Sequence, residues 1–186
     1  MVGAYLAERF SARVFIPMAV VIAGAASGGE LSISRLGLDS AFALLLLAQF
    51  RSWDDLADRS RDAVSHPERV LVRAISTAPL VAFSGALAVL NICLAIERDA
   101  SGIAVAVLVA LIGLLGAWYS LRTARTAAGD HLLLSKYAAM VIVVAGARVL
   151  NAPAQILCAA VALHLAVWLY EVWHDPASPL SIGGQR

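Results

Sequence analysis

Between Arg73 and Arg122 the chain carries only three charged residues, and they are consecutive: Glu97, Arg98 and Asp99. The flanking runs, residues 74–96 and 100–121, are free of charge. Each reaches the roughly 20 apolar residues that a helix needs to cross the hydrocarbon of a bilayer. Composition agrees. Of 186 residues, 61% are hydrophobic and 15% charged, against about 45–50% and about 25% in an ordinary soluble domain. So few polar residues cannot cover the surface of a small globule. The same figures exclude a disordered chain, a collagen-like repeat and a disulfide-dense scaffold.

Four further runs complete the pattern: residues 14–29; 37–50, broken only by Asp39; 132–147, with Lys136 near its start; and 149–170, with His164 as its one ionisable group. The runs are continuous and rich in Ala, Leu and Gly. They lack the alternation of a membrane barrel, the only other fold that satisfies its backbone in lipid. The expectation is an all-α, polytopic transmembrane bundle of about six spans. Residues 1–175 would form one domain and residues 176–186 a flexible tail. Glu8, Arg9 and Arg13 precede the first run, which reads as an anchor that stays in place and not as a cleaved signal.

With six crossings, one side of the membrane holds Arg9, Arg13, Arg51, Arg59, Arg61, Arg69, Arg73, Arg122, Arg125, Lys136 and Arg186, and the other holds Arg35, Arg98 and Arg148. The positive-inside rule then predicts a cytoplasmic membrane protein with both termini in the cytoplasm. Net charge is +1, so no nucleic-acid partner is expected. Cys93 and Cys158 lie inside apolar runs and read as buried small hydrophobes. Asp39 is expected at the interface. His164 is expected as a neutral, hydrogen-bonded imidazole facing another helix.

Chemistry gathers on the charged side. Five of the 13 acids fall between Asp54 and Glu68, in what reads as the loop after the second span. Asp55, Asp58 and Asp62 are spaced three and four apart, which on a helix puts them on one face, where like charges repel. Either Arg51, Arg59 and Arg61 neutralise them in a solvated loop, or they hold divalent cations. Glu171 and Asp175 end the sixth span four apart, beside His174. The fourth loop supplies Tyr119, Arg122 and Arg125, then Asp130, His131 and Lys136. Acids that hold Mg²⁺, Mg²⁺ that bridges phosphate oxygens, and cations that neutralise the remainder suit a diphosphate. An apolar cavity beneath suits a hydrocarbon tail.

At these residues the chain resembles the UbiA superfamily of intramembrane prenyltransferases. Asp54-Asp55-x-x-Asp58-x-x-x-Asp62 resembles the family's N-D-x-x-D-x-x-x-D motif, and the stretch from His66 through Arg69 resembles the basic segment after it. Tyr119-Ser-Leu-Arg122 loosely resembles a Tyr-x-x-x-(Lys/Arg) element. Glu171-x-x-x-Asp175 matches the spacing of the second, D-x-x-x-D, motif. Asp54 stands where the family has Asn, and Glu171 stands where it has Asp. The family has nine helices and this chain six, so a second copy, a partner subunit or lipid would close the cavity. The resemblance implies a Mg²⁺-dependent transfer of an isoprenyl group from an allylic diphosphate to an aromatic or other lipophilic acceptor. Asp54, Asp55, Asp58, Asp62, Glu171 and Asp175 would hold metal and carry catalysis. Arg69, Arg122, Arg125, Lys136, Tyr119 and His174 would bind the diphosphate. The two acid patches are expected to face each other across the cavity mouth. A terpene cyclase of the same superfamily and a non-catalytic binder of polyprenyl lipid are the alternatives.

Overall fold

The computed structural model describes residues 1–175 and 178–180. Pro176, Ala177 and residues 181–186, which include most of the expected tail and Arg186, lie outside the described residues. The described chain is helical, with no strand among those residues: α1 (Val2–Arg9), α2 (Ala12–Ala25), α3 (Ile33–Ser65), α4 (Val70–Arg73), α5 (Ala78–Arg98), α6 (Ile103–Leu121), α7 (Ala127–Ala145), α8 (Arg148–Asn151) and α9 (Pro153–His174). Five of these, α3, α5, α6, α7 and α9, are long and apolar enough to cross a membrane. The protein is an all-α membrane bundle. Many large apolar side chains point outward, Ile33, Val89, Leu114 and Val161 among them. An outward apolar face is what lipid requires.

Two expectations about the elements change. The first run yields only the 14-residue α2, about 21 Å long at 1.5 Å per residue. Gly28 and Gly29, both at positive φ, turn the chain just beyond it, a conformation that glycine adopts without strain. The second run does not stop at Phe50. α3 continues through the charged stretch to Ser65, 33 residues in all, so the expected loop is helix. Residues 51–65 contain no Gly or Pro, and Arg51–Asp55 (3.2 Å) and Asp58–Arg61 (3.0 Å) pair at helical spacing. Pro67 ends the helix by forcing His66 out of the helical region.

Cys93 and Cys158 are both exposed, not buried. On the outside of a membrane helix a small apolar thiol faces lipid as readily as it faces a core. Asp39 lies in the second turn of α3 and is buried.

The chain forms two compact units. The first joins Met1–Val21 to Ser32–Leu94. Its small core of Tyr5, Leu71 and Leu80 is flanked by Leu6, Leu56, Val70 and Phe83. Asn91 of α5 donates to Gln49 of α3 at 2.8 Å, with both residues buried. The second unit joins Ile22–Leu31 to the described residues from Ala95 on. There α7 packs against both α6 and α9, and Thr126 caps α7 by accepting from the Gly129 amide at 3.1 Å. Gly28 fits closely against Ala152 and Ile156.

Candidate functional site

The first acid cluster is built on α3. Successive residues turn by about 100° on an α-helix, so Arg51, Asp55, Asp58 and Asp62 share one face and Asp54 stands to its side. Asp55 is 5% exposed and is held from three directions. The Tyr5 hydroxyl donates to Oδ2 at 2.8 Å, and Arg9 donates Nε to Oδ2 at 3.2 Å and Nη2 to Oδ1 at 2.9 Å. Arg51 closes in at 3.2 Å. Burial pushes the Tyr5 hydroxyl well above its usual range, and the Asp55 charge adds to this, so Tyr5 remains a donor. Asp62 pairs with Arg69, and Asp58 pairs with Arg61. Asp54 is half-buried and is engaged in an interaction of its own. A small recess at this face is lined by Tyr5, Glu8, Arg9, Asp55, Asp62, Arg69 and Leu71.

Arg59 does something other than neutralise the acids. It donates Nε to the Leu71 carbonyl at 3.1 Å and Nη2 to the Ala74 carbonyl at 3.2 Å. It satisfies the orphan carbonyls at the end of α4, which makes it a structural residue.

The second cluster gathers on Arg125, between α6 and α7. Its Nε meets Asp130 at 2.8 Å, Nη1 meets Asp175 at 2.7 Å and Nη2 meets Glu171 at 2.8 Å. Burial alone would lower the Arg125 pKa. The bonds to Asp175 and Asp130 outweigh it and raise the pKa instead, so the guanidinium stays charged. Arg122 lies over the Tyr119 ring, 4.9 Å from its centroid. His174 stacks on Tyr170 at 5.1 Å. Lys136 is buried in α7, 5.6 Å from the Tyr137 ring centroid. His164 does face another helix, stacking on His131 of α7 at 5.8 Å.

The expected site residues therefore fall into two sets. Asp54, Asp55, Asp58, Asp62 and Arg69 belong to the first unit. Tyr119, Arg122, Arg125, Lys136, Glu171, His174 and Asp175 belong to the second, where Arg125, Glu171 and Asp175 are in direct contact. Sequence reasoning missed Tyr5 and Arg9 as partners of Asp55. No periodic signal points to them, because these contacts join residues 50 and 46 apart in sequence.

Among the described residues no three His, Cys, Asp or Glu side chains converge as a metal-holding group. The donor chemistry nonetheless fits Mg²⁺, which takes one or two carboxylates and completes its shell with water and phosphate oxygens. Asp55, Asp58, Asp62, Glu171 and Asp175 are each paired with an arginine. Compared with known proteins, the chain matches no family model, no curated protein and no solved structure.

Proposed function

We propose that the chain is a Mg²⁺-dependent intramembrane prenyltransferase of the UbiA type, acting on an allylic isoprenyl diphosphate and a lipophilic acceptor. The observation that supports this most directly is α3. It carries an apolar, membrane-length segment straight into a helical acid face, Asp55, Asp58 and Asp62, ringed by Arg9, Arg51 and Arg69. Mg²⁺ would supply charge neutralisation for the departing diphosphate, with Asp54, Asp55, Asp58 and Asp62 of the first unit and Glu171 and Asp175 of the second as its candidate ligands. Arg69, Arg122, Arg125 and Lys136 would neutralise the remaining phosphate oxygens, with Tyr119 and His174 as further donors. The C1–O bond breaks with its electron pair leaving on the diphosphate. The acceptor then bonds to C1 and its proton passes to the departed diphosphate, while the apolar surroundings keep water from taking the acceptor's place. Both acid clusters are assigned to one membrane side, the cytoplasmic one, on the excess of Arg and Lys there.

One observation favours the non-catalytic alternative: Asp55, Asp62, Glu171 and Asp175 are each paired with an arginine. Asp58 separates the readings. Its pairing with Arg61 is a partly exposed i, i+3 contact, a type that contributes about 0–1 kcal/mol, and an unchanged Tm of Asp58→Ala is the control that the variant is folded. Purified protein in lipid, given Mg²⁺ and allylic diphosphates of graded chain length, should release diphosphate when a lipophilic phenol is present, and Asp58→Ala should abolish that release. Release without an acceptor points to a cyclase. Tight binding of the lipid diphosphate without release, unchanged in Asp58→Ala, selects the binder.

A further inference from the structure

The N-terminal helix α1 has only eight residues, and isolated helices below about 12–15 residues are marginal in water. Its ties to the rest of the first unit hold it in place. Tyr5 enters the core with Leu71 and Leu80, and its hydroxyl and the Arg9 fork grip Asp55. Glu8 accepts from the Val70 amide at 2.8 Å. Apart from the Tyr5 ring and Leu6, which pack against Leu71 and Leu80, these ties are polar, and they end on groups that a phosphate and its cation compete for. Charge sharpens the point. Glu8, Asp55 and Asp62 stand against Arg9, Arg51 and Arg69, three carboxylates to three guanidiniums. A lone divalent cation meets the guanidiniums, and a lone diphosphate meets the carboxylates, so neither gains much. The two together can divide between the two sets.

We propose that α1 is a latch over the acid face of α3 and that Arg9 is a diphosphate-binding residue carried on it. Arg9 passes from Asp55 to a phosphate oxygen as a magnesium–diphosphate complex binds, and Tyr5 comes off Asp55 as the helix loosens. The inference rests on the reading that this acid face binds diphosphate. It adds two residues from an element outside the membrane-length helices, and it makes opening depend on cation and anion jointly.

Hydrogen exchange on the full chain in lipid nanodiscs tests this, with direct binding of labelled pyrophosphate measured on the same samples. The amides of Tyr5 and Phe10, bonded at rest to the carbonyls of Met1 and Leu6, report on α1. Mg²⁺ alone and inorganic pyrophosphate alone should leave exchange over residues 2–10 unchanged. Together they should raise it about tenfold or more, the effect of losing one hydrogen bond to a charged group. Tyr5→Phe keeps the ring in the core and should raise resting exchange without weakening pyrophosphate binding. Arg9→Gln should raise resting exchange and also weaken binding of the magnesium–pyrophosphate pair by about tenfold. Binding with α1 exchange unchanged overturns the latch and leaves the site standing. Opening by Mg²⁺ alone overturns the joint requirement. Tighter binding in Arg9→Gln makes Arg9 a blocker and overturns its binding role. No binding under any condition sinks the site and the latch together.

Discussion

Trp118 lays its indole across Gly129, and a Cβ on that glycine would sit 2.0 Å from the ring. Gly129 is there because α6 and α7 meet through that ring. Gly129→Ala should displace the indole and cost about 1–3 kcal/mol, as overpacking in a tight interior does; a lowered Tm together with shifted tryptophan emission is the check. At the opposite end of the same helices, Asp99 ties three segments together. Its Oδ2 accepts from the Ala104 amide at 2.8 Å, and its Oδ1 accepts from the Ser101 amide at 3.0 Å and hydroxyl at 2.6 Å. A backbone bond from Ala147 joins them. Gly146, at φ +54°, makes room, since a Cβ there would lie 3.0 Å from the Asp99 carboxyl carbon. Burial pushes the Asp99 carboxyl up, but the bonds from Ala104 and Ser101 outweigh it and hold its pKa below the usual range. A carboxyl depressed in the folded state lends stability above its unfolded pKa of about 3.9 and loses it as pH falls through the lower folded value. Acidification below about pH 4 should therefore loosen this junction, read as a lower protection factor at the Ala104 amide once the intrinsic slowing of exchange in acid is divided out. Asp99→Asn should exchange faster already at neutral pH and show less of that acid-linked change.

Among the elements, α3 marks where the sequence was legible and where it was not. Its apolar half, its acid spacing and the ionic pairs of Arg51 and Arg61 follow from periodicity alone, and five of the six expected runs correspond to membrane-length helices. Residues 51–65 are helix and not the expected loop because a high density of charge does not by itself disfavour a helix. Charges of opposite sign three and four apart stabilise a helix, and only Pro67 interrupts the backbone pattern. The docking of α1 was hidden for a different reason. Contacts between residues about 50 apart in sequence, such as Tyr5 with Asp55, leave no periodic trace. Arg59 was hidden likewise, because its partners are carbonyls, which every residue has. Arg59→Met keeps the apolar stem and removes the donors to Leu71 and Ala74. It should destabilise the α4 corner by about 1 kcal/mol, the loss of hydrogen bonds to carbonyls that are only partly buried. Faster exchange confined to residues 70–76 is the signature, and an unchanged profile would return Arg59 to the role of a surface cation.

At the scale of the whole molecule, the contact between α1 and Asp55 bears on topology. Asp55 lies 22 residues after the start of α3, about 33 Å along the helix at 1.5 Å per residue. Arg9 is bonded to Asp55, yet the chain must be back at the beginning of α3 by Ile33. Residues 10–32 therefore return over that length, and the 14-residue α2 with the turn after it makes the return. α2 is short for a span, but the ends of its segment lie about a bilayer's thickness apart. Counting α2 as a crossing puts α1 and the end of α3 on one side, and strict alternation through α5, α6, α7 and α9 predicts the same side for the α6–α7 loop and the end of α9. The α5–α6 and α7–α9 connections fall on the other. The α1 contact fixes that α1 and the end of α3 share a side, and the charge rule assigns which side that is. In a background with Cys93 and Cys158 replaced, single cysteines at Gly3, Ala63 and Thr123 should react with a membrane-impermeant maleimide only after the cells are permeabilised. Cysteines at Ala100 and Asn151 should react in intact cells. Labelling of Gly3 with the Ala100 group would mean that α2 does not cross and that α1 reaches Asp55 in some other way. Labelling of Ala63 and Thr123 from opposite sides would overturn the alternation through α5 and α6.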